Sequence, residues 1–164
     1  VYDYAPAYQN DYEFKKANEI DVVSSDFESK ADKDVAKKEL EENSVEISYK
    51  QTLESGIKAL KNENYQSALT QFDLILKIHP KDVNALFYGG IAFYNLDQFN
   101  DAKIKFEEVL KNKQTTFNQE AKWYQAKNLI ALKENKKAKK ILQEIIDVNG
   151  FYKEQAIEKL GELK

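Results

Sequence analysis

The sequence predicts an all-α fold, a solenoid of stacked helix pairs, and three observations carry that expectation. The stretch from Tyr65 to Pro80, YQSALTQFDLILKIHP, reads aromatic, two residues, Ala, three residues, Phe, two residues, an apolar pair. The same string returns from Phe99 as FNDAKIKFEEVLKNKQ, with Ala102, Phe106 and Val109-Leu110 in matching places. The step from Ala68 to Ala102 is repeated upstream of the strings, from Gly56 to Gly90. A period of about 34 residues marks a helical repeat, whose single unit cannot bury its apolar face and so stacks on the next.

The first third reads differently. VYDYAPAYQNDYEF carries Tyr2, Tyr4, Tyr8, Tyr12 and Phe14 with little helical period. That is too aromatic for an ordinary disordered tail, and residues 1–23 are expected to form an extended arm that covers apolar surface. Ser25 with Glu28 three residues on fits a capping box. The helix formers that follow, with Phe27, Ala31, Val35 and Leu40 as a thin apolar stripe, predict a helix over about 26–42, stopped near Asn43. Residues 1–48 hold 13 acidic and 6 basic side chains, a balance of −7, and residues 49–164 hold 15 and 19, a balance of +4. The opposite signs favour the arm folding back on the body, though single surface pairs contribute little. The expected division is therefore an acidic, Tyr-rich arm with one helix over 1–44 and a repeat domain over 45–164.

Within the repeat domain, Leu53, Ile57 and Leu60 recur at helical spacing around Gly56. A Gly inside a helix costs about 1 kcal/mol against Ala, so a close approach of the next helix is expected there. That next helix spans about Tyr65 to Ile78, with Ala68, Phe72, Ile75 and Leu76 on one face, and Pro80 ends it. In the second unit Leu86, Phe87, Gly89, Gly90, Phe93 and Tyr94 fall on the first helix, and Ala102, Phe106, Val109 and Leu110 on the second. The third unit uses Trp123, Ala126, Leu129 and Ile130, then Ala138, Leu142, Ile145 and Ile146. The step from Ala102 to Ala138 is longer by two than that from Ala68 to Ala102, and the insertion falls within 113–118. Asn149-Gly150 ends the pair. Tyr152 to Leu163, with Ala156, Leu160 and Leu163, is the terminal cap whose inner face covers the open end. The expected units are about 49–82, 83–116 and 119–150, with the cap over 152–163.

Composition narrows the chemistry. All 25 basic residues are Lys, the net charge is −3, and there is no Cys. Bidentate phosphate recognition by Arg, thiolate chemistry and Cys-bound metal are thereby excluded. The lone His79 sits beside Pro80 at a helix corner, and no triad, His-metal cluster or Gly-rich phosphate loop can be assembled. No catalytic activity, cofactor or metal is expected. Lys133, Lys136, Lys137, Lys139 and Lys140 are the single basic cluster, read as a solvated face, so nucleic acid is not an expected partner. The chain begins with Val and holds no Met, the start expected of a processed protein or of a piece cut from a larger one. A membrane partner would come only through an N-terminal anchor outside this sequence.

These residues resemble the tetratricopeptide repeat. Gly56, Gly90 and Ala126, and again Ala68, Ala102 and Ala138, stand where that family packs its paired helices, and Tyr65, Phe99, Phe72, Phe106 and Pro80 match its larger positions. The resemblance spans about residues 45–164. The family's Trp is replaced by Thr52 in the first unit, and the third unit lacks the aromatic before Ala138. The third unit and its tail also look like the C-terminal end of bacterial repeat proteins anchored at the inner membrane, which implies a periplasmic location, with the cytoplasm as the alternative.

The resemblance implies a right-handed superhelix of three helix pairs, its first helices lining a concave groove. Mapped onto this chain, the peptide-binding groove would show Leu53, Ile57, Leu60, Phe87, Ile91, Tyr94, Asn95, Trp123, Lys127 and Ile130. The family's carboxylate-clamping positions hold Leu53, Ile57, Phe87 and Ile91, so that mode is not expected. The expected function is a non-catalytic protein- or peptide-binding scaffold, with a structural spacer or oligomerisation domain as the alternative. Aromatic anchors are favoured at interfaces. The arm over residues 1–23 is the nearest candidate occupant of the groove, in the same or a neighbouring molecule.

Overall fold

The structure, a computed structural model, describes residues 30–112 and 116–163. The described elements are α1 (Lys30–Lys61), α2 (Tyr65–Ile78), α3 (Val83–Asn95), α4 (Phe99–Lys111), α5 (Asn118–Ala131), α6 (Asn135–Val148) and α7 (Lys153–Glu162). No strand occurs among the described residues. No helix among them is long and apolar enough to cross a membrane. The Tyr-rich stretch 1–23 and the predicted cap at Ser25 lie outside the described residues.

The chain divides between Gln51 and Thr52. The helix expected to stop near Asn43 does not stop there, since α1 continues to Lys61. The physical reason is that a lone Asn costs only a few tenths of a kcal/mol in a helix. No Gly or Pro stands between Lys30 and Gly56 to end it.

From Thr52 on, helices pair in order. Helices α2 to α6 each pack on the next in the chain, and α3 also touches α5. Among the described residues, two helix starts are capped by side chains the sequence supplies. Asn64 accepts the Ser67 N–H at 3.3 Å, and Asp82 accepts the Ala85 N–H at 2.8 Å.

The turn inside each pair is the same turn three times. Glu63, Asp97 and Lys133 have φ of 59°, 58° and 60°. Each is followed by a residue whose N–H reaches back five positions: Asn64 to the Ala59 carbonyl at 2.9 Å, Gln98 to Phe93 at 2.9 Å, Glu134 to Leu129 at 2.8 Å. This is a Schellman closure, built on side-chain-bearing residues at a position that favours Gly. The left-handed region costs an L-residue roughly 1 kcal/mol, and Asp tolerates it better than Glu or Lys. Glu63→Gly and Lys133→Gly are therefore expected to raise stability by about 0.5–1 kcal/mol each, and Asp97→Gly by less. Urea midpoints at constant slope would check the order. Asn149, at φ 57°, ends α6 in the same conformation.

Between paired helices the repeat reaches the level of single atoms. A Cβ built on Gly56 would stand 2.5 Å from Cε1 of Phe72, and one on Gly90 would stand 2.6 Å from Cε1 of Phe106. Both rings are fully buried. The glycines are thus required by the closeness of the partner ring, and Phe72 follows Gly56 by the same step as Phe106 follows Gly90. In the third pair the same two places hold Ala126 and Leu142, both fully buried and in one core cluster with Ile145 and Ala156. A methyl has been added on one helix where an aromatic ring has been given up on the other. Volume at the contact is kept, as a close-packed interior demands.

A buried polar side chain joins the second pair to the third. Asn128, fully buried on α5, donates from Nδ2 to the carbonyl of Phe99 at 2.8 Å, at the first residue of α4. Its Oδ1 has no partner among the described protein atoms. On the surface, Lys103 meets Glu134 at 2.8 Å across the same boundary, and both are partly exposed, so the pair adds at most about 1 kcal/mol.

Candidate functional site

Helices α3 and α5 bring one cationic group between two tyrosines. Tyr94 lies in the last turn of α3, and Tyr124 and Lys127, three residues apart, share a face of α5. Lys127 Nζ stands 5.0 Å from the Tyr94 ring centroid and 4.9 Å from that of Tyr124. The two rings are 6.4 Å apart and nearly perpendicular. Each ring face offers the ammonium a cation–π contact. Burial pushes the Lys127 amine below the usual lysine range, and the like charge of Lys159 pushes it further down. No carboxylate pairs with Lys127 among the described residues. Beside it, Asn95 donates from Nδ2 to the Ile91 carbonyl at 2.8 Å.

Beneath this site lies a continuous set of rings. Phe87 stacks on Phe117 at 4.5 Å and meets Tyr88 at 5.3 Å, Tyr124 at 5.9 Å and Phe106 at 6.4 Å. Tyr88 carries the set to Phe72 at 6.1 Å, and Phe106 closes it on Tyr124 at 5.8 Å. The Lys127 site therefore rests on a rigid aromatic floor that belongs to the core.

That floor corrects the groove expected from the sequence. Leu53, Ile57, Leu60, Phe87 and Ile91 are all buried, Phe87 at 4% exposure and Ile91 at 1%. For Phe87 the reason is that rings from the second and third units, with Phe117, close over it. Trp123 is half-buried and stacks on Tyr152 at 5.6 Å and 15°, so it serves the contact between α5 and the residue that leads into α7. Ile130 packs against the same core cluster. Tyr94, Asn95 and Lys127 remain as half-buried residues brought together on one face.

Three contributors lie outside the expected set. Tyr88 and Tyr124 directly follow positions that the helical period does pick out, Phe87 and Trp123. Phe117 lies between helices, where periodicity is silent. A trace of it is legible all the same: Phe117 directly precedes α5, as Tyr152 directly precedes α7.

Glu120, in the first turn of α5, is half-buried, and its Oε2 has no partner among the described protein atoms. Burial holds its carboxyl above the ordinary carboxylate range, partly opposed by a backbone N–H. In the lysine cluster, Lys133, Lys136, Lys137, Lys139 and Lys140 are all exposed, with Lys137 bound to Glu134. His79 is exposed at its helix corner. No group of three or more His, Asp or Glu among the described residues is arranged to hold a metal ion.

Comparison with known proteins agrees with this architecture. A family model described as tetratricopeptide repeat matches residues 120–149, the third helix pair. The TPR repeat-containing protein MJ0263 of Methanocaldococcus jannaschii is 35% identical over 54 residues, 33% of this chain and 17% of that protein. The chain thus spans about a sixth of that curated relative. Among solved structures, MamA superposes with a TM-score of 0.62 at 22% identity, over 71% of this chain and 62% of that one. The TPR2B domain of yeast Sti1, in complex with pHsp70, gives a TM-score of 0.64 at 16% identity, over 71% and 96%. The first TPR of Spaghetti (RPAP3), bound to the HSP90 peptide SRMEEVD, gives 0.62 at 18%, over 71% and 90%. The fold is the all-helical tetratricopeptide-repeat solenoid, and residues 120–149 carry the one stretch that the tetratricopeptide-repeat family model matches.

Proposed function

We propose that this chain is a non-catalytic scaffold that binds a protein or peptide segment across its first helices, with Lys127 as the polar anchor. One observation carries the reading: a half-buried ammonium held between Tyr94 and Tyr124 with no carboxylate paired to it among the described residues. Two structural neighbours are complexes, one with pHsp70 and one with an HSP90 peptide. At 16% and 18% identity they support the fold, and the peptide-binding role comes to this chain by analogy.

A carboxylate on the guest would supply the charge that Lys127 lacks. The tyrosine rings exclude water around that contact and strengthen it, and apolar guest residues would lie on the ring edges. With Leu53, Ile57, Phe87 and Ile91 in the core, a double clamp on a terminal carboxylate has no side chains to form it. A single acidic residue amid apolar ones is the segment this face suits.

The sign of the Lys127 shift gives a test. Its folded pKa lies below its unfolded one, so the unfolded chain holds more protons between the two values. Stability then rises with pH across that window, and below it the buried charge is a cost. Lys127→Met is expected to leave the chain as stable or more stable at neutral pH, and to flatten the alkaline limb of the pH–stability curve. The same change should weaken binding of an acidic peptide at least about tenfold, the equivalent of about 1.4 kcal/mol. Fluorescence anisotropy with labelled acidic peptides and their Gln/Asn counterparts reads this out. Equal affinity of both chains for the acidic peptide would remove Lys127 as the anchor, and indifference to every peptide would favour the spacer role.

A further inference from the structure

Helix α7 stands in the register of a first helix, and among the described residues no helix packs where its second helix would. Ala156 takes the place that Ala121 holds on α5, and both are fully buried. In that register Gly161 falls at the place of Gly56, Gly90 and Ala126, and Ile157 at the place of Leu86. Gly56 and Gly90 are in contact with a ring of the following helix, whereas nothing stands within 4 Å of a Cβ built on Gly161. Leu86 is 6% exposed, and Ile157 is 45% exposed. The inner side of α7 is occupied, because Ala156, Leu160 and Leu163 pack on the third pair. Its outer side is the surface that every earlier first helix gives to its partner.

We propose that this outer face of α7 is a docking seat for an amphipathic helix bearing an Ala-x-x-x-Phe or Ala-x-x-x-Leu stripe with lysines at its margins. The stripe follows from continuity with the interface used three times before, at Ala68/Phe72, Ala102/Phe106 and Ala138/Leu142. The lysines follow from charge. Glu154, Ile157, Glu158, Gly161 and Glu162 are the exposed residues of α7, so an apolar, ring-sized notch is flanked by three carboxylates. Glu162 is shared with Lys159 at 2.7 Å, and Glu154 and Glu158 have no ion pair among the described residues. Two copies pairing through α7 would bring like charges together, which disfavours a symmetric dimer at this face. Because the notch is a glycine, it fits a ring better than a Leu, on the precedent of Gly56/Phe72 and Gly90/Phe106 against Ala126/Leu142.

The test uses the full chain and one probe, an amidated peptide with the sequence of residues 134–149 and Leu142→Phe in the peptide. Nitrogen-15 NMR titration is expected to show saturable shifts on Ile157 and Gly161. The same peptide with Leu retained should bind more weakly. Gly161→Leu in the chain fills the notch and favours the exposed helix, so that variant stays folded, and its affinity should fall at least tenfold. Glu154→Gln/Glu158→Gln should weaken binding and largely remove its salt dependence. A second arm covers a peptide too short to hold its helix. Joined after Lys164 by a flexible linker, the probe should raise the unfolding temperature of the chain and fail to do so with Gly161→Leu. Lys127→Met should leave all of this unchanged, which separates the seat from the Lys127 anchor. Equal binding or equal stabilisation with Gly161→Leu overturns the proposal. So does self-association of the unliganded chain that Gly161→Leu abolishes, which would make a second copy the occupant.

Discussion

Phe106→Ala is expected to cost about 3–5 kcal/mol of folding stability, out of a total that for a domain of this size is on the order of 5–15 kcal/mol. The ring is fully buried and lies against Phe87 and Tyr124. It also fills the space above Gly90, whose lack of a side chain leaves nothing to collapse into the void. Truncation therefore removes transfer energy and creates a cavity bounded by a helix backbone on one side, the arrangement least able to relax. The cost belongs at the upper end of the range. Denaturant unfolding of the two proteins, compared at constant slope, measures it. A loss under about 1 kcal/mol would mean that the ring is not the wedge between α3 and α4.

Gly90→Ala is the complementary experiment and the more telling one. The new methyl would stand well inside contact distance of three atoms of the Phe106 ring. A ring held by Phe87 and Tyr124 cannot swing away, so overpacking of about 1–3 kcal/mol is expected, more than offsetting the gain in helix propensity of about 1 kcal/mol. The third helix pair supplies the remedy, because it holds Ala126 opposite Leu142. Gly90→Ala/Phe106→Leu should recover most of what Gly90→Ala loses. The double-mutant cycle should show a favourable coupling of about 0.5–3 kcal/mol, the range found for residues in contact. Additive losses would show that the Ala/Leu pair of the third unit is tolerated for some reason other than shared volume.

The equal steps from Gly56 to Phe72 and from Gly90 to Phe106 are readable without coordinates, as are the places of Ala68 and Ala102, because they repeat. Pro80 marks the end of α2 because it has one local job. The end predicted at Asn43 fails because a single weak breaker does not stop a helix whose neighbours all favour it. The groove is harder. Helical period tells which residues share a face, but not whether that face meets solvent or the next unit. Phe87 and Ile91 share their face with Tyr94, yet the first two are closed off and the third is half-open. The deciding ring, Phe117, sits between elements and has no period to betray it. In the sequence Lys127 is only one position among ten. Its confinement between Tyr94 and Tyr124 depends on two helices from different units meeting at one point.

The order of packing has a consequence for how the solenoid comes apart. Apart from the touch between α3 and α5, each described helix from α2 onward leans chiefly on its neighbours in the chain. Such a structure behaves as a row of coupled links rather than as one all-or-none body. An outer link can open while those behind it stay closed, and α7, packed against α6 and followed by no further described helix, is the outermost link at its end. A guest helix seated there would act as one more link in the row, and the segment behind it would be held shut for as long as the guest stayed.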